Sequence, residues 1–137
     1  MIEINSRFEY DYCISRGFNP LHEWRLFKMD FRLRMMIQYE LFGTADFKKQ
    51  NQRFYEYCWN NFPHYCQETG KPLNNYSSVY VSHIISRGSD RRMAIDPRNV
   101  NILCYEQHQN WEFSNRKRMN IYPMNQLIIK LLKQDYE

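Results

Sequence analysis

The apolar residues of this chain change their spacing once, near Pro63, and that change limits the architectures open to it. Before Pro63 the spacing is helical. Asn19-Pro20 offers an N-cap followed by proline at the first helical position. Trp24, Phe27, Phe31 and Leu41 follow near a helical stripe, and Gly43 closes the run. Thr44 can cap a second helix carrying Phe47, Phe54, Cys58 and Phe62 until Pro63 stops it. After Pro63, the Cys66 to Pro72 stretch is turn chemistry. Residues 78–85 are rich in β-branched and aromatic types and read as a strand, and residues 100–104 as a second, short one. A polar loop over 86–98, with Gly88 and Pro97, joins them, and a helix is expected from Tyr105 to about Asn115. Pro123 opens a tail helix whose Met124, Leu127, Ile128, Leu131 and Leu132 share one face. That face should pack on the rest of the protein or on a second copy. The expected class is α+β in one compact domain: a helical front (1–64), a mixed middle (65–118) and an amphipathic tail helix (119–137).

Composition sets the outer bounds. A chain of 137 residues can bury a core without covalent staples, and 43% hydrophobic with 25% charged residues excludes a disordered chain. Aromatic residues reach 17%, most of them expected as core and core edge. The formal charge of +4 is a mild bias compatible with an anionic partner. Residues 1–12 are charged and lack an apolar run, so no signal peptide is expected. No stretch approaches the roughly 20 apolar residues of a membrane span. A cytoplasmic, reducing setting follows, in which Cys13 and Cys58 are expected as buried thiols. His22 and His64 stand in no pattern.

The segment from Val81 to Phe113 carries the chemistry. His83 sits at the end of the first strand, Asn99 at the start of the second, and His108 nine residues later on the helix. Glu112 lies four residues beyond His108, on the same helical face. One imidazole and one carboxylate on that face can hold a divalent cation with open positions for water and phosphate. A neutral imidazole on the opposing strand can activate water. Together these groups suit hydrolysis of a phosphodiester, which needs a cation to offset growing charge and a base to generate hydroxide.

Ser82-His83-Ile84, then Asp96-Pro97-Arg98-Asn99-Val100-Asn101-Ile102-Leu103-Cys104, then His108, resembles the His-Asn-His signature of HNH endonucleases. The resemblance covers roughly residues 66–115, about a third of the chain. It implies a ββα-metal core, a two-stranded hairpin plus a helix, wrapped by the N- and C-terminal helices. It also implies divalent-metal-dependent hydrolysis of DNA, with RNA as a second substrate class, and an association with phages and mobile elements. His83 takes the role of general base and Asn99 braces the loop that orients it. By the same resemblance His108 would bind magnesium or manganese, and Glu112 matches a position where members of that family place a further ligand. The residue before the base is commonly Asp or His in that family. Here it is Ser82, a weaker ligand, so the metal would lean on Glu112, on Asp90 or Asp96 from the loop, or on water.

Many relatives bind a structural zinc through two Cys-x-x-Cys pairs. Here Cys66 and Cys104 stand alone, with Thr69 and Gln107 at the second positions, so structural zinc is not expected. Arg87, Arg91 and Arg92 fall in the loop where a scissile phosphate would lie, and are either phosphate contacts or a solvated loop. Arg116, Lys117 and Arg118 read as a general backbone contact or a plain soluble surface. The competing expectation is a nucleic-acid-binding module that kept the HNH fold and lost efficient chemistry. A homodimer through the tail helix is a further expectation.

Overall fold

In the computed structural model, residues 2–4, 27–29 and 31–136 are described, with side chains from Met35 onward except Ile37. They form a mixed α+β fold with two small sheets. Strand β1 (Ile2–Ile4) pairs in parallel with β2 (Phe27–Met29), Ile2 opposite Phe27. Pairing with β1 holds residues 27–29 extended, so the helix expected through Phe27 begins only at Phe31. Asn19-Pro20 and Trp24 lie outside the described residues.

Helix α1 (Phe31–Phe42) ends at Gly43, as expected. The glycine adopts φ +86° and donates its N–H to the Tyr39 carbonyl at 2.8 Å, a left-handed cap that a side chain would strain. Helix α2 (Phe47–Asn61) is capped by Asp46 rather than Thr44. The Asp46 carboxylate accepts from the N–H groups of Lys48 (3.0 Å) and Lys49 (3.2 Å), and its charge complements the helix N-terminus, which a threonine hydroxyl further back cannot do. Phe54 and Cys58 lie on the buried stripe of α2, and Phe62 is buried at its C-cap. Phe47, expected on that stripe, is exposed in the first turn and carries the Arg91 guanidinium 4.4 Å over its ring.

The second sheet holds the middle of the chain. Strand β3 (Val81–His83) pairs antiparallel with β4 (Val100–Ile102), setting Ser82 opposite Asn101 and His83 opposite Val100. Both strands are shorter than their sequence suggests, because residues 78–80 coil into a 3₁₀ turn capped by Ser77. The stretch between the strands is not simply a polar loop. It folds into 3₁₀ turns at Met93–Ile95 and Pro97–Asn99, and residues 93–99 are all buried. Helix α3 (Tyr105–Phe113) follows β4 directly. Its Trp111 is buried and donates its indole N–H to the Ile84 carbonyl at 3.2 Å, locking the helix to the end of β3.

Helix α4 (Tyr122–Tyr136) turns a different face inward from the one its apolar residues suggest. Asn125, Ile128, Leu132 and Tyr136 are buried, whereas Met124 and Leu127 are half exposed. Two polar contacts set this rotation. Asn125 donates to Asn101 Oδ1 at 2.7 Å, and the Tyr136 hydroxyl donates to Asp96 Oδ2 at 2.8 Å. Beside the latter, Arg98 pairs with Asp96 (2.7 Å) and with Asp135 (2.6 Å), while Gln38 of α1 donates to the Tyr136 hydroxyl. One continuous hydrophobic core runs from Met35 to Tyr136. No helix among the described residues is long and apolar enough to cross a membrane.

Candidate active site

The hairpin β3–β4, helix α3 and helix α2 enclose an open cleft of about 490 Å³. His83 and Val81 enter it from β3, His108 and Glu112 from α3, Arg87 and Ser86 from the loop after β3, and Tyr55 from α2. Residues 81 and 83 reach the same side because side chains alternate along a strand. The folding of residues 78–113 thus brings His83, His108, Glu112 and Arg87 together, four of the residues singled out by sequence.

His83 is 8% exposed. Its ring lies against Phe54 (centroids 5.8 Å apart, stacked) and edge-on to Tyr55 (5.9 Å). Its Nε2 is 2.9 Å from the Ala94 carbonyl oxygen. A carbonyl only accepts, so Nε2 carries the hydrogen and Nδ1 is the basic nitrogen of the neutral ring. Burial drives the pKa of His83 down from 6.5 to about 4; the Ala94 carbonyl opposes this, and the charge of Arg87 adds to it. The ring is therefore neutral at pH 7.

The side-chain hydrogen bonds described for Asn99 go to backbone groups rather than to the His83 ring. Fully buried, Asn99 accepts from the Ile85 N–H at 2.7 Å and donates to the carbonyls of Ile85 (3.0 Å) and Met93 (3.2 Å). Met93 precedes Ala94, whose carbonyl holds the His83 ring. Asn99 thereby staples the two ends of the 86–98 loop and fixes the group that orients the imidazole, a positioning job.

His108 is held from both sides. Its Nδ1 lies 2.6 Å from the Val79 carbonyl oxygen and its Nε2 lies 3.1 Å from Glu112 Oε1. The carbonyl requires the hydrogen on Nδ1, which leaves the Nε2 lone pair facing a carboxylate oxygen in the neutral ring. Nε2 and the carboxylate oxygen are two donor atoms that could share a cation. A histidine ligand oriented by a backbone carbonyl on its other nitrogen is the usual arrangement of a metal-binding imidazole. One imidazole and one carboxylate could together supply two protein ligands to a divalent cation, the remaining positions falling to water and phosphate oxygen. Among the described residues no group of three or more His, Cys, Asp or Glu gathers to hold a metal.

The other expected metal groups do not line the cleft. Ser82 follows the opposite face of β3, fully buried, with its hydroxyl unpartnered. Asp96 is taken by Arg98 and Tyr136, and Asp90 by Arg92, which grips it through both Nε (3.1 Å) and Nη2 (2.8 Å). The basic residues also divide. Arg87 lines the cleft and donates to the Tyr55 hydroxyl at 2.8 Å. Arg91 reaches back to Gln50 and the Phe47 carbonyl, and Arg92 to the Tyr136 carbonyl, so both tie the loop to helices. Arg116 lies 4.5 Å over the Trp111 ring, while Lys117 and Arg118 are exposed.

Cys66 and Cys104 meet in the interior, their thiols in hydrogen-bonding contact. Burial pushes the Cys66 thiol up, but hydrogen bonds from the Thr69 side chain and nearby backbone bring it below its ordinary value. Burial and the neighbouring Cys66 push Cys104 up. Gln67 N–H bonds the Ile102 carbonyl at 2.8 Å, joining this turn to β4 by backbone pairing.

Sequence reasoning missed Tyr55 and Ser86. Tyr55 follows a core phenylalanine on α2, and its place in the cleft depends on how α2 packs on β3, which local spacing does not encode. No protein-family model, curated protein or solved structure matches this chain.

Proposed function

We propose that this chain is a divalent-metal-dependent endonuclease of the HNH type, hydrolysing DNA phosphodiester bonds. The observation that carries the proposal is the meeting, in one cleft, of a buried histidine with the paired His108 and Glu112. The order strand, buried loop, strand, helix, with Asn99 stapling the loop, is the order the HNH resemblance implies.

In this reading His83 Nδ1 takes a proton from a water molecule as its oxygen attacks phosphorus, and the P–O bond to the leaving oxygen breaks. The Ala94 carbonyl keeps the ring in the required tautomer and stabilises the imidazolium that forms. Arg87 neutralises a phosphate oxygen at the mouth of the cleft. His108 and Glu112 would hold the divalent cation, which supplies charge stabilisation for the phosphoryl group and the leaving oxygen.

Ser82 favours a second reading. With its hydroxyl turned away from the cleft, the strand offers no ligand beside the base, as suits a nucleic-acid-binding protein with weak or absent chemistry. Supercoiled plasmid incubated with the protein and magnesium, manganese or EDTA separates the two. Nicking that needs metal and disappears in His83→Ala is the expected result. Salt-sensitive binding with no cutting under any metal means the binding module. Cutting that persists in His83→Ala means another base.

A further inference from the structure

A smaller hollow of about 210 Å³ adjoins the cleft and shares His83, Ser86 and Glu112 with it. Its lining also includes Trp111, Phe113 and Arg116. Phe113 is 76% exposed, the most exposed large apolar side chain among those described, and it directly follows Glu112 on α3. Arg116 sits four residues beyond Glu112. Its guanidinium is stacked over the buried Trp111 ring, which is itself hydrogen-bonded to Ile84, so the charge is presented from a rigid seat. An exposed ring beside a fixed cation, opening onto a reacting centre, matches the two faces of a nucleotide: a flat base and a phosphate.

We infer that Phe113 and Arg116 form a subsite for one unpaired nucleotide flanking the scissile phosphate, its base stacked on Phe113 and its phosphate on Arg116. The inference rests on the nucleic-acid reading of the adjoining cleft and adds a substrate preference to it. In an intact duplex both faces of every internal base are covered by neighbours, so a free aromatic ring gains a partner only where a strand is single, frayed or flipped out. The hollow is less than half the volume of the main cleft, sized for a single group (about 210 Å³ against about 490 Å³).

The test is binding of a short single-stranded oligodeoxynucleotide carrying 2-aminopurine, against the matched duplex, by the full-length His83→Ala protein. Phe113→Leu is then added to remove the ring and keep apolar bulk, and Phe113→Trp to restore a ring. The side chain is mostly outside the core, so both variants should fold as the parent does, checked by circular dichroism. Phe113→Leu is expected to weaken single-strand binding about tenfold and to abolish the quenching of 2-aminopurine by stacking. Duplex affinity should change less than about twofold, and Phe113→Trp should retain both signals. Equal affinities in Phe113→Leu and its parent, or an equal loss for single strand and duplex, overturn the subsite. Phe113-dependent single-strand binding by a wild-type protein that cuts nothing sinks the nuclease reading and leaves the subsite standing. Metal-dependent cutting with no effect of Phe113 does the reverse, and absence of any DNA binding ends both.

Discussion

His83 holds its place through what it excludes as much as through what it binds. Aromatic rings and the hairpin bury it, and the single polar contact described for it is one that a neutral ring can make with Nε2. Burial lowers its folded-state pKa to about 4, below the 6.5 of an exposed histidine. The unfolded chain therefore binds the proton more readily than the folded one. The contribution of His83 to stability is complete above pH 6.5 and is lost as pH falls toward 4, by about 3 kcal/mol in all. Urea unfolding of wild type and His83→Gln across that range should show the wild type losing stability more steeply on acidification. Parallel curves would mean the ring is not buried as described. At this scale order and spacing were legible as proximity: His83, His108 and Glu112 line one cleft, and Asn99 bonds the backbone of the loop. Ser82, Asp90 and Asp96 were credible ligands by type alone. Strand alternation turns Ser82 from the cleft, and an arginine two residues further along the chain holds each aspartate.

Elements were legible in their existence and less so in their limits and faces. Periodicity anticipated α2 and α4, yet the cap of α2 is Asp46, and α4 is rotated so that an asparagine and a tyrosine point inward. Hydrophobic spacing cannot foresee either outcome, because both depend on polar groups with specific partners. The cap can be tested directly. Asp46→Ala removes the acceptor for two N–H groups at the start of α2 and should cost about 1 kcal/mol, read from the denaturation midpoint, with Thr44→Ala changing it little. A larger loss for Thr44→Ala would return the cap to the threonine.

Across the whole molecule, a formal charge of +4 says nothing of where the charges point. Much of the basic content of the middle segment is tied to the fold itself: Arg91 and Arg92 bond the loop to α2 and α4, and Arg98 is 1% exposed between Asp96 and Asp135. That last cluster joins the loop holding the Ala94 carbonyl to the C-terminal turn of α4, and through Tyr136 to α1. Removing its cation strands a buried carboxylate. Arg98→Met should destabilise the fold by about 3–5 kcal/mol, against a change within about 0.5 kcal/mol for the exposed Lys117→Ala. Near-equal thermal stability of the two variants would show the cluster to be dispensable.

The hydrogen bond from His83 to Ala94 also decides the traffic of protons in the proposed reaction. Because Nε2 is already committed inward, the imidazole cannot hand a proton through itself to the interior. Whatever arrives on Nδ1 must depart by the mouth through which water and substrate enter, and that mouth is shared with the product strand. Resetting the ring and emptying the cleft thus become one event, and small diffusible buffer bases, rather than any residue behind the ring, would set its pace.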